Sequence, residues 1–282
     1  MTTPFASPLS PDLALAVRLA REAGAAIEAV RAVGFSAHDK ADTSPVTEAD
    51  LAADRLIRRV LTIERPDDAL LSEESTGAPP RSDQALWCVD PLDGTEAFVD
   101  GGAAGADYVR GYAVQIARLV PDGDRYRLQL GVTYEPRADE LFFAERGRGL
   151  FRVARGELSG PLTMPEHTRQ PTLVTSKRVE PETKSRFIAN GYLDGGALRS
   201  VGVKVGRLVL GEADVYLATH RLSWWDLAAP QIILEEAGGQ VADLSGDAPP
   251  FRFADLSRPV FRGPFVMARP ERLGPALAVM RA

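Results

Sequence analysis

Apolar residues recur along the first sixty positions at helical spacing, and beyond them fall into short runs of strand length. Leu13, Val17, Ala20, Ala23 and Ile27 share one face of a 3.6-residue repeat, which predicts a helix over 11–33. Ser10 is placed to cap it, Pro11 and Asp12 suit its first turn, and Gly34 stops it. A polar loop, 40–45, leads to a second predicted helix over 47–63 that buries Ala53, Leu56, Ile57, Val60 and Leu61. Short strands are predicted at 69–71 and 86–89, and an antiparallel meander at 112–120, 126–134 and 140–144. The Gly- and Ala-rich stretch 101–106 reads either as a mobile cover or as a plain surface insertion.

The Gly- and Pro-containing segment 155–171 reads as a boundary. It divides an α+β half, 1–155, which carries most of the acidic motifs, from an α/β half, 156–282, that closes over them. In the second half strands are predicted at 172–176, 197–201, 214–217, 241–244 and 264–268. Helices are predicted at 180–190, at 203–210 with Gly211 as the stop, and from Trp224 to the closing Gly238-Gly239 pair. Pro230 is tolerated only near a helix start, which places that last start close to Asp226.

Composition narrows the class. The 45% hydrophobic and 26% charged fractions of these 282 residues are those of a globular chain with ample core. A net charge of −6 argues against a general binder of nucleic acid or anionic membranes. The single cysteine, Cys88, excludes an internal disulfide and lies in an apolar strand, as a buried structural thiol would. The first residues lack the charge and apolar run of a signal peptide, and no run is long enough for a membrane span, so the cytoplasm is the expected location.

The candidate chemistry centres on Asp90-Pro91-Leu92-Asp93-Gly94-Thr95. Pro91 ends the strand, so Asp90 lies at its carboxyl end, where open α/β sheets place ligands. Two carboxylates three residues apart on a tight turn can share a hard cation, while the N–H groups of Gly94, Thr95 and Glu96 can face an anion. Ordinary turn chemistry accounts for the same residue types. Asp50, three residues after Thr47, completes a capping-box pattern; it can serve only the helix or can also point into a cleft. Glu73 and Glu74 are adjacent acids at a strand end, either solvated or neutralised by a cation. Asp226 opens a helix and suits its dipole.

Together, Glu73-Glu74-Ser75, Asp90-Pro91-Leu92-Asp93-Gly94-Thr95 and Trp225-Asp226-Leu227-Ala228-Ala229 resemble the motifs of the inositol monophosphatase superfamily of metal-dependent, lithium-sensitive phosphatases. The resemblance runs from the Asp50 segment to Gly239. It implies a layered αβαβα sandwich, an antiparallel-sheet half followed by a mixed α/β half. It implies two or three Mg²⁺ ions bound by Glu73, Asp90, Asp93, Asp226 and the carbonyl of Leu92, with Asp50 and Thr95 orienting the attacking water. Gly94, Thr95, Glu96, Gly202 and Lys204 are the expected substrate contacts. A small phosphorylated molecule is the expected partner, and a homodimer is left open. Lys204 and the Trp225–Pro230 wording resemble the 3'(2'),5'-bisphosphate nucleotidase branch, where a lysine could serve a second phosphate, so hydrolysis of adenosine 3',5'-bisphosphate is the expected activity. Thr219 falls where inositol phosphatases usually carry a glutamate, whereas Glu96 stands where many nucleotidases have lysine. The alternatives are an inositol-1-monophosphatase or another sugar or polyol phosphatase, histidinol-phosphatase included. A regulatory module on the same fold would be expected to lack a ligand residue, and none is lacking here.

Overall fold

The computed structural model describes residues 9–39, 45–75, 80–101, 111–166 and 169–282. Helix α1, Pro11–Val33, is capped by Ser10, whose Oγ accepts from the Leu13 N–H at 3.2 Å. Strands β1, Ala37–Asp39, and β2, Pro45–Thr47, form a small antiparallel pair ahead of helix α2, Glu48–Glu64. Residues 40–44 of the expected polar loop, and 102–106 of the expected cover, lie outside the described residues.

The main sheet runs in chain order: β3 Ala69–Ser72, β4 Leu86–Asp93, β5 Ala113–Asp122, β6 Arg125–Glu135, β7 Glu140–Glu145, β8 Gly149–Ala154 and β9 Glu157–Leu162. Only the β3–β4 pair is parallel. The short helix α3, Thr95–Asp100, follows β4 directly. The second sheet takes β10 Thr172–Thr175, β11 Leu193–Ala197, β12 Val215–Ala218, β14 Gln240–Asp243 and β17 Phe265–Ala268, in the order β11-β10-β12-β17-β14. It is mixed: β10 is parallel to β11 and β12, while β17 is antiparallel to β12 and β14. Of the remaining strands, β13 Leu222–Ser223 pairs with β16 Val260–Phe261, and β15 Phe251–Arg252 extends the main sheet beside β6. The other helices are α4 Pro181–Ala189, α5 Val201–Val209, α6 Trp224–Glu236 and α7 Pro270–Arg281.

Strand alternation sorts the core into layers. Trp87 and Val89 of β4 pack with Leu19, Ile27 and Ile57 of α1 and α2. Leu86 and Cys88 point the other way, into a core shared with Val205 and Leu208 of α5, Ile232 and Ile233 of α6, and Tyr216 and Met267 of the second sheet. A third core joins the far face of that sheet, through Leu173, Val215 and Val266, to Phe187 of α4 and Leu277 of α7. The result is the expected αβαβα sandwich. Helix α6 lies between two sheets, which explains why Leu227, Ala228, Ala229, Ile232, Ile233 and Leu234 are all buried.

Several elements differ from the sequence-based expectation. Segment 155–171 is not all connection, since β9 occupies 157–162 as the edge strand. A strand expected at 197–201 lies at Leu193–Ala197, and α5 begins at Val201 rather than 203 because Ser200 caps it, its Oγ accepting from the Val203 N–H at 3.1 Å. Helix α7 was not anticipated.

Gly131 on β6 is where α6 approaches the sheet. A Cβ there would lie 2.5 Å from Ile232 Cγ2 and 3.0 Å from the Ala229 backbone. We therefore expect Gly131→Ala to lower unfolding stability by roughly 1–3 kcal/mol, because the backbone of α6 must move outward. Denaturant melts of the two proteins check this.

Candidate active site

Residues three apart in an unbroken strand face opposite sides of the sheet. Asp90 and Asp93 escape that rule. Asp90 is opposite Gln115 and Asp93 opposite Ala113, so three steps along β4 are matched by two along β5. The extra residue is a bulge at Pro91-Leu92, and it returns Asp93 to the side that Asp90 and Cys88 face. On that side lie α5 and α6, and α6 contributes Asp226 from its first turn. Asp90, Asp93 and Asp226 each place a carboxylate oxygen within 4.8 Å of the others.

Each carboxylate is anchored by one oxygen. The Leu92 N–H donates to Asp90 Oδ1 at 3.0 Å. The Ser200 hydroxyl and the Gly202 N–H donate to Asp93 Oδ2 at 2.5 and 3.0 Å. The Ser223 N–H donates to Asp226 Oδ2 at 2.6 Å, closing a capping box in which Asp226 is the third helical residue. Among the described residues no hydrogen bond reaches Asp90 Oδ2, Asp93 Oδ1 or Asp226 Oδ1. Glu73 follows β3, its N–H bonded to the Val89 carbonyl at 3.2 Å, and its charge acts on all three aspartates.

Burial and mutual repulsion set the protonation of this group. Burial pushes Asp90 well above the usual carboxylate range, with Glu73, Asp93 and Asp226 adding to it. Burial pushes Asp226 up to about 8, with Asp93 and Glu73 adding. Asp93 rises only to about 6, because Ser200, Gly202 and Lys204 favour its charged form against the dominant burial. Close, buried, oxygen-only donors, each with a vacant lone-pair side, fit a hard divalent cation. A bound cation would neutralise phosphate charge, acidify a bound water and stabilise a leaving alkoxide.

Beside this group stands a second, hydrogen-bonded pair. Asp50 closes the capping box of α2: its Oδ2 accepts from the Thr47 N–H at 2.8 Å and from the Thr47 hydroxyl at 2.6 Å. Its Oδ1 accepts from the Thr95 hydroxyl at 2.9 Å, across from the first turn of α3. Asp50 therefore caps its helix through one oxygen and meets Thr95 through the other. Burial raises its pKa against the bonds from Thr47 and Thr95. The Thr95 hydroxyl also lies 3.2 Å from the Leu92 carbonyl. Gly94 has φ +92°, and a Cβ there would meet the Gly111 carbonyl at 2.5 Å, so only glycine fits this turn.

Two residues of the site escaped the sequence reading. Ser200 is the clamp on Asp93, and a Ser just ahead of an apolar helical run is its visible signal. Arg199 pins α3 to the start of α5, with Nη2 2.7 Å from Asp100 and Nε 3.4 Å from Glu96. The pairing with Glu96 was not legible from spacing. Lys204, expected to contact a second phosphate, lies inside the fold. Its side chain is fully buried, with Nζ donating to the Arg199 carbonyl at 3.2 Å and the Tyr216 hydroxyl at 3.4 Å. Burial lowers its pKa to about 8, against Asp93 and Asp226, which raise it.

The comparisons with known proteins agree with this geometry. A family model described as the inositol monophosphatase family matches residues 9–273. A histidinol-phosphatase from Chlorobaculum parvum is 33% identical over 241 residues, 84% of this chain and 88% of its own. A 3'(2'),5'-bisphosphate nucleotidase from Aggregatibacter actinomycetemcomitans is 27% identical over 81% of this chain and 83% of its own. The crystal structure of the extragenic suppressor protein SuhB from Bartonella henselae superposes with a TM-score of 0.76 at 25% identity, covering 96% of this chain and 99% of that one. The chain belongs to the inositol monophosphatase family and is a metal-dependent phosphomonoesterase. Among the described residues no helix is long and apolar enough to cross a membrane.

The raised carboxyl groups make metal-free stability depend on pH in a stated direction. Folded Asp93 and Asp226 hold protons up to about 6 and about 8, while the unfolded chain releases them near the ordinary aspartate value of 3.8. Their contribution is complete below the unfolded value and is lost as pH rises through the folded ones. The rise in melting temperature caused by Mg²⁺ should therefore grow from about pH 5 to about pH 8.5. Thermal melts with EDTA and with Mg²⁺ across that range check it; a constant increment would contradict it.

Proposed function

We propose that this member of the inositol monophosphatase family hydrolyses a small phosphomonoester that carries a cationic group, of the histidinol phosphate class. Its metal would be Mg²⁺, two or three ions held by Glu73, Asp90, Asp93, Asp226 and the Leu92 carbonyl. The observation that carries the substrate reading is the charge around α3. Glu96 and Asp100 are half-exposed acids on the helix that follows the carboxylate group; among the described residues Arg199 pairs with both, while Arg31 and Arg137 bind carbonyls at the far end of that helix. An ammonium or imidazolium on the substrate would be favoured there, and a second phosphate repelled. The histidinol-phosphatase relative at 33% identity supports the same choice.

A second reading, bisphosphate nucleotidase, has a relative at 27% identity in its favour. It relies on Lys204 meeting a second phosphate, and the burial of that side chain speaks against it. Inositol 1-phosphate also remains a candidate, without a carboxylate at Thr219 to receive its hydroxyls.

The chain's own residues divide the work. The N–H groups of Gly94, Thr95 and Glu96 precede the first intrahelical bonds of α3, which run from Ala97 and Phe98 to the Gly94 carbonyl, and they would hold phosphate oxygens. Gly202, whose N–H is held by Asp93, would act through that carboxylate. The Thr95 hydroxyl would take the proton of an attacking water and pass its own to Asp50. Asp50 needs its free pair of Oδ1 electrons for that, which the cap leaves available by binding Oδ2.

Asp50→Asn separates capping from chemistry. As a cap alone, the substitution should cost about 1 kcal/mol or less. As the proton acceptor behind Thr95, its loss should slow turnover by about a hundredfold or more. We expect both together, a small melting shift and a large rate loss, measured on one preparation.

The substrate reading is tested by phosphate release from histidinol phosphate, inositol 1-phosphate and adenosine 3',5'-bisphosphate. Histidinol phosphate should have the highest kcat/KM, and Glu96→Gln should lower that value more than the value for inositol 1-phosphate. A clear preference for the bisphosphate would sink the proposal.

A further inference from the structure

Helix α5 delivers more to the carboxylate group than the Ser200 and Gly202 bonds. Every residue of α5 except Arg207 is buried, and one of them is a lysine. A fully buried ammonium ordinarily requires an anionic partner, because desolvation disfavours the charge. Among the described residues Lys204 has none in contact: its bonded neighbours are a carbonyl and a phenol, and Nζ lies 4.4 Å from the centre of the Tyr216 ring. Lys204 follows Ser200 by one helical turn, and Ser200 and Gly202 both bond Asp93 Oδ2, which brings the lysine up to the acidic group, where Asp93 and Asp226 favour its ammonium form through space. The same two residues feel Lys204 in return. The lysine therefore sits behind the acidic group, on the side of α5 and β12, and its partners there are neutral.

We propose that Lys204 is a positioning residue that acts as a resident counter-cation of the carboxylate group, holding Asp93 and Asp226 together without metal and weakening the hold of the site on divalent ions. The inference rests on the reading of Asp90, Asp93 and Asp226 as metal ligands, and it is independent of the substrate. A fixed positive charge near a divalent ion opposes its binding, and in a buried site screening by solvent is small. The cost in affinity has a benefit in turnover, since ions and product held less tightly are released more readily.

The test is metal affinity of the full chain, prepared metal-free and titrated with Mg²⁺ by calorimetry and with Mn²⁺ by its paramagnetic signal. Lys204→Met keeps the length and loses the charge; it should bind both ions about tenfold tighter or more. Lys204→Gln carries the same expectation and can keep a bond to the Arg199 carbonyl, should the methionine variant fail to fold. A residue needed only for packing would change the melting temperature of metal-free and metal-saturated protein alike and leave the affinity unmoved. Equal or weaker binding by a folded neutral variant overturns the role of Lys204. If the unmodified chain itself binds neither ion, the metal reading falls with it.

Discussion

Three carboxylates in the core within 4.8 Å of one another repel, and the fold is arranged to hold them there. None is left to a loose loop. Asp90 belongs to a strand paired on both sides in the main sheet, Asp93 to the end of the bulge that follows, and Asp226 to the first turn of a helix packed between two sheets. Each is tied through one oxygen by a backbone or hydroxyl donor, so the repulsion cannot be relieved by a side-chain rotation without breaking a buried bond. Neutralisation must come instead from protons, from Lys204 or from an added cation.

The helix starts are used twice. Asp50 and Asp226 are each the third residue of a capped helix, and each gives one oxygen to the backbone N–H of the capping residue. A cap bond costs nothing extra to the chain, because that N–H needs a partner in any case. It fixes the carboxylate's direction and leaves the other oxygen outside the cap, bonded to Thr95 in Asp50 and turned to the carboxylate group in Asp226. Pro230 adds to this in α6: lacking an N–H, it leaves the Asp226 carbonyl without its usual partner four residues on.

Much of this was legible in the sequence, and the remainder was hidden for physical reasons. The Thr47–Asp50 box and the Asp90–Asp93 spacing are local, and local rules apply to them. That Asp93 shares a side with Asp90 depends on the bulge, which no alternation pattern reveals because Pro91 already looks like the strand's end. Lys204 reads as a contact to a second phosphate because spacing cannot show depth, whereas α5 buries every residue but Arg207. Strand β11 has Gly195 and Gly196 at its centre and gives no strand signal, so the predicted strand slid toward the apolar residues after it. The Gly160-Pro161 pair disguised β9 in the same manner.

The anchoring of Asp93 by Ser200 and Gly202 crosses 107 and 109 residues of chain, and Asp226 comes from the same distant half. No contiguous peptide contains the centre, and neither sheet alone does. Its assembly is consequently as cooperative as the docking of one sheet layer on the other. Separated fragments would be silent unless they recombined, and divalent-ion binding would then report their complementation more directly than any probe of helix content.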